Sequence, residues 1–245
     1  MLAVIVGAIS LALLNGYALL LIVLRARVYK VPLYRPMILN IGLSILPVAV
    51  ALLAVSLLLL LVPLLVALPP VAAGAAPLLE WVYLVVTTAL WVLLFPNSVY
   101  LITELNFSHR SSNDPVPLWY DIVHTLTLTL SGIANAVFSL ALVQTAFTVI
   151  VIDPPGSPSV PPPASWWFAA AVIVLGAVGV YLGRYLRFNS WDVRHPGSML
   201  DKGRVHFASP GRWTEAAAFV VSHSTLLALV YAPVYLAAYV AFGSG

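Results

Sequence analysis

The chain has 245 residues, of which 62% are hydrophobic and 8% charged, with a formal net charge of +3. A soluble domain averages about 25% charged residues, so a water-soluble fold is excluded, and continuous apolar runs exclude barrel strands, which alternate over about 10 residues. The absence of cysteine removes thiolate ligands, disulfides and cysteine nucleophiles from consideration.

Six spans are predicted in chain order, at about 2–24, 37–62, 78–95, 118–152, 165–186 and 214–242, each near or above the ~20 apolar residues a bilayer requires. The fold class is therefore all-α, an integral membrane bundle of about six helices, expected as a single polytopic domain over 1–245. The first run, MLAVIVGAISLALLNGYALLLIVL, lacks the basic n-region and small-residue cleavage site of a signal peptide. It is expected to be a retained span. The second contains Pro47 and ends near Pro63, and the sixth contains Pro233; proline here implies kinks whose freed carbonyls find partners on neighbouring helices. The fourth run is longer than a bilayer needs, so part of it is expected to tilt or protrude.

All eleven basic residues fall in or beside alternate connections. Arg25, Arg27, Lys30 and Arg35 follow the first span, Arg110 follows the third, and Arg184, Arg187, Arg194, Lys202, Arg204 and Arg212 flank the connection after the fifth. The opposite connections, 63–77 and 153–164, hold none. The positive-inside rule makes the basic side cytoplasmic and turns both termini outward, as in a bacterial inner-membrane protein. The same placement argues against a nucleic-acid partner, because the charge sits at span ends rather than on a separate basic domain. The outer connections, PLLVALPPVAAGAAP and DPPGSPSVPPPAS, read as stiff proline-rich linkers. No internal repeat is visible, so an inverted-repeat transporter finds no support. Asn106-Phe107-Ser108 matches a glycosylation sequon on the inner side, by coincidence.

Three polar stretches gather on the predicted inner side. In FPNSVYLITEL (95–105), Asn97, Tyr100 and Glu104 have the spacing i, i+3, i+7 of one helical face, with Thr103 beside them. In VPLWYDIVHTL, Asp121 and His124 stand three apart. GRYLRFNSWDVRH offers Arg184, Arg187, Asn189, Ser190, Trp191 and Asp192, and the sixth span adds Glu215 and His223 with Ser222 and Ser224 nearby. Singly, these residues have plainer uses. Trp119, Tyr120, Trp191 and Trp213 suit an interfacial aromatic belt, Arg184 and Arg187 suit snorkelling topology signals, and Asp121 suits the positive end of its helix dipole. Together they place carboxylates and arginines at one membrane level, where ionisable groups are costly and face the interior.

Such a cluster could be a structural ion-pair network, scaffolding further membrane subunits. It could instead be a site in which Arg184 and Arg187 hold an anionic small molecule or lipid headgroup, lined by Asn97, Tyr100, Asn189, Trp191 and Asp192. Asp121, His124 or Glu104 would then act on it as acid or base. A metal is a weaker reading, with Glu104, Asp121, His124 and His223 as ligands, because D-x-x-H lacks the second histidine of H-E-x-x-H. That option would make the chain a metal-assisted hydrolase or transferase on a lipid-linked substrate. Axial haem ligation by His124 and His223 has no motif behind it, serine hydrolysis lacks a G-x-S-x-G elbow, and no cofactor is assigned.

The stripe His124, Leu128, Ser131 and Asn135 (i, i+4, i+7, i+11) is expected to face the bundle, since its small and polar members suit helix packing better than lipid. At least one of Glu104, Asp121 and Asp192 is expected within ion-pair reach of Arg184 or Arg187.

PNSVYLITE (96–104), WYD (119–121) and GRYLRFNSWD (183–192) together resemble the bacterial multi-pass membrane family catalogued as domain of unknown function 1361. The resemblance covers roughly residues 80–230, and the first two spans carry no signature. Glu104 stands where that family has Asp, and Phe188 where it has Trp. The resemblance implies the architecture and the residue list, and supplies no reaction.

Overall fold

A computed structural model describes residues 2–67, 74–104, 115–152, 160–186 and 196–243. The described residues are helical, without strands: α1 (Leu2–Val28), α2 (Arg35–Val66), α3 (Ala76–Leu94), α4 (Pro96–Tyr100) with a 3-10 turn (Leu101–Glu104), α5 (Leu118–Phe147) with a π turn (Thr148–Ile152), α6 (Pro163–Tyr181) with a π turn (Leu182–Leu186), α7 (Pro196–Ala208) and α8 (Arg212–Gly243). Six helical stretches are long and apolar enough to cross a membrane: Val4–Val28, Arg35–Leu64, Ala76–Thr103, Leu118–Ile152, Pro163–Leu186 and Arg212–Ala241. The chain is a multi-pass membrane protein. In hydrocarbon no water can satisfy a peptide group, so only a helix that bonds its own backbone is tolerated across these apolar runs.

The third stretch runs past the stop expected at Phe95-Pro96. Pro96 opens α4 at a position where its missing N–H costs nothing, and the chain continues helically to Glu104. Because α4 gives way to a 3-10 turn at Leu101, the i, i+7 spacing of one continuous α-helix does not carry through from Asn97 to Glu104.

The helices divide into two compact units, Met1–Ala146 and Phe147–Gly245. In the first, Ala18 and Ile22 of α1, Met37 and Ile41 of α2, Leu101 and Leu128 of α5 form one buried apolar cluster. A second, smaller cluster joins Leu21, Val116 and Tyr120, with Tyr29 and Val31 against it. These contacts put the end of α1, the start of α2, the end of the third span and the start of α5 at one end of this unit. In the second unit α6 packs along α8 through Trp166, Tyr231 and Tyr235, with Trp166 edge-on to Tyr235 and the two tyrosines stacked. Gly211, with φ of +81° in the turn before α8, adopts a conformation that favours glycine.

Candidate functional site

Lipid offers helices no hydrophobic reason to associate, so close packing and interhelical hydrogen bonds must hold them. The first unit has both, at two depths. In its interior the side-chain amides of Asn15 (α1) and Asn135 (α5) bond reciprocally, Asn15 Nδ2 donating to Asn135 Oδ1 at 2.9 Å and Asn135 Nδ2 to Asn15 Oδ1 at 3.1 Å. Asn15 also donates to the Leu11 carbonyl, and Asn135 to Ser44 Oγ on α2 at 3.0 Å. Ser98 of α4 donates to the Ser44 carbonyl at 2.6 Å, in the turn of α2 just before Pro47, where the proline ring weakens the helical bonding. This network ties four helices and is fully enclosed, Ser44 and Ser98 having no exposed surface.

At the common end of α1 and α5, the Arg25 Nε donates to Asp121 Oδ1 at 3.1 Å, with the side chains 25% and 14% exposed. The pairing suits both helices. Arg25 lies in the last turn of α1 and Asp121 in the first turn of α5, so each charge opposes the partial charge of its own helix end. Tyr120 donates its hydroxyl to the Leu21 carbonyl at 2.7 Å and meets Tyr29 edge-on. His124, one turn into α5 on the face of Asp121, lies within electrostatic reach of both Arg25 and Asp121. It is only 8% exposed, and its Nε2 is buried with no hydrogen-bond partner. An orphaned buried polar atom costs about 1–3 kcal/mol, so this imidazole is held in place against that penalty.

The stripe through His124, Leu128, Ser131 and Asn135 is buried along its length. In FPNSVYLITEL, however, the buried face is Phe95, Ser98, Val99, Leu101 and Ile102. Asn97 and Tyr100 are half-buried, and the Asn97 amide turns back to the Leu94 carbonyl at 3.0 Å. Thr103 donates to the Tyr100 carbonyl, and the side chain of Glu104 lies outside the described residues. Three of the polar residues that reach the interior of the first unit, Asn15, Ser44 and Ser98, are not among the candidate site residues. The signal was present in α1, where Asn15 is an amide within an otherwise almost wholly apolar run.

In the second unit Arg184 is half-buried within the π turn that ends α6. Arg187, Asn189, Trp191 and Asp192 lie outside the described residues. Around the same end, Tyr181 and His206 share a hydrogen bond of 2.8 Å that fastens α7 to α6, and Tyr185 stacks on Tyr181. Arg212 pairs with Glu215 at the start of α8. His223 donates from Nδ1 to the Phe219 carbonyl and stacks on the Phe219 ring. Among the described residues no three histidine, aspartate or glutamate side chains gather closely enough to hold a metal ion. Asp121 and His124 supply two such groups, and the guanidinium beside them is unfavourable for a further cation.

A family model described as a protein of unknown function, DUF1361, matches residues 55–230, beginning within α2 and so earlier than the motifs themselves. No curated protein and no solved structure matches the chain.

Proposed function

The chain belongs to the DUF1361 family, and from that premise we propose that it binds or moves an anionic small molecule or a lipid headgroup at the cytoplasmic face of a bacterial inner membrane. The observation that carries this reading is the Arg25–Asp121 pair. It joins the basic connection after the first span to the start of the fourth, so the cationic side of the chain meets a partly buried polar group rather than solvent alone. The eleven Lys and Arg residues all flank alternate connections, which gives that face the sign that attracts anionic headgroups. Arg184 and Arg187 hold the anion in this reading, with Asn189, Trp191 and Asp192 as the candidate groups that follow them in the chain.

The test is the lipid and small-molecule content of protein purified in mild detergent. The Arg184→Ala/Arg187→Ala variant is expected to lose co-purifying anionic lipid and the thermal stability that lipid confers. Retention of the same lipids at the same melting temperature would overturn the proposal.

A further inference from the structure

We infer that α7 is an interfacial helix, whose edge of Leu200, Arg204 and Phe207 docks into the phospholipid layer around the ends of the fifth and sixth spans. The docking does not depend on whether Arg184 and Arg187 hold an anion. Three observations carry it.

The first is depth. α7 has 13 residues and is not one of the stretches long and apolar enough to cross a bilayer. Its contacts nevertheless lie within such stretches. His206 shares a hydrogen bond of 2.8 Å with Tyr181, and a Cβ added to Gly203 would lie 4.0 Å from Leu186 Cδ2. Tyr181 and Leu186 both belong to the crossing stretch Pro163–Leu186. Phe207 stacks on Trp213, the second residue of the crossing stretch Arg212–Ala241, with ring centroids 4.1 Å apart. A helix tied to both spans in this way stands at the level of their ends, not out in the water beyond them.

The second is the division of its surface. Gly203 and His206 lie on the side that meets α6. Leu200, Arg204 and Phe207 (i, i+4, i+7) fall within about 60° of one another around the helix. Leu200 is 69% exposed, Arg204 is exposed and Phe207 is half-buried. Val205 lies about 140° round from Leu200, on another edge beside Asp201.

The third is Trp213. It remains 68% exposed although it stacks on Phe207. Tryptophan at the end of a span marks the headgroup level, where an apolar ring and a polar N–H are both accommodated. Phe207 lies against that ring, so the edge it shares with Leu200 continues the lipid-facing surface of the sixth span onto α7. Leu200 enters the boundary between headgroups and acyl chains, as the apolar side of an interfacial helix does. Arg204 lays its methylene stem alongside and reaches the lipid phosphates. A phospholipid layer offers acyl chain and phosphate side by side, which is what this edge matches.

The chain has no cysteine, so single cysteines can be introduced without removing any. Nitroxide labels at Leu200→Cys, Arg204→Cys and Val205→Cys are read by power saturation, against oxygen and a water-soluble nickel chelate. The protein is held in nanodiscs of phosphatidylcholine and phosphatidylglycerol. Leu200 and Val205 are both apolar and similarly exposed, at 69% and 74%, so the comparison isolates the edge each occupies. The oxygen-to-chelate accessibility ratio is expected to be several-fold higher at position 200 than at 205, with position 204 close to 200. Should Leu200→Cys fail to fold, Arg204→Cys reports the same edge. Equal ratios on the two edges, or the higher ratio at 205, would show that α7 does not present this edge to lipid.

Discussion

Gly132 of α5 touches the chain around Leu101 so closely that a Cβ there would lie 2.7 Å from the Leu101 Cβ and 2.7 Å from the Ser98 carbonyl oxygen. A backbone oxygen cannot swing aside as a side-chain tip can. Gly132→Ala is therefore expected to destabilise the protein by about 1–3 kcal/mol through overpacking. Gly16→Ala and Gly42→Ala, in helices with nothing within 4 Å of the added carbon, should be neutral or stabilise by up to about 1 kcal/mol. Equilibrium unfolding in mixed micelles compares the three, and equal effects would refute the close approach.

The Asn15–Asn135 pair makes a second prediction. Asn135→Ala strands the Asn15 amide and removes the donor to Ser44, and is expected to cost about 0.5–2 kcal/mol, the range found for interhelical hydrogen bonds in membranes. Replacing both asparagines by leucine should cost less than the two single changes added together, because no polar group is then left alone. A double-mutant cycle measures the difference, and strict additivity would show that the two amides do not act on each other.

Lys30 has φ of +55° just after α1, at the place where helices commonly end on a left-handed residue. A lysine is strained there by roughly 1–2 kcal/mol. Lys30→Gly should raise the melting temperature, and Lys30→Asn should do so to a smaller extent; a lysine that resists both changes without gain would mean the strain is relieved elsewhere.

Reporter fusions after Lys30, Asp114 and Lys202 are expected to score cytoplasmic, and fusions after Ala73 and Ser159 external. The Arg25–Asp121 contact already brings the ends of the first and fourth spans together, so the fusions after Lys30 and Asp114 must agree with each other. One reversal among the three inner fusions would separate the polar motifs onto different faces.

The spans were legible because an apolar run in lipid has only one way to satisfy its backbone, and length then sets the count. Burial of His124 was legible for a similar reason, since the small and polar residues at helical spacing with it mark a packing face. The contact between Asp121 and Arg25 was not. Arg25 is 96 positions away, and nothing in the local pattern of either residue distinguishes that arginine from Arg184 or Arg187. FPNSVYLITEL holds a second contact of this kind. A close helix contact needs a small side chain, and the inconspicuous Ser98, fully buried and bonded to the Ser44 carbonyl, is the residue that fits there.

The reciprocal amide pair also bears on how the protein is made. Asn15 and Asn135 are 120 positions apart, and at synthesis rates of about 5–20 residues per second the second is added roughly 6–24 s after the first. Throughout that interval α1 presents an amide with no Asn135 to bind it. Until then the Asn15 amide has the Leu11 carbonyl of its own helix as an acceptor. The reciprocal bonds can close only once the fourth span has been made.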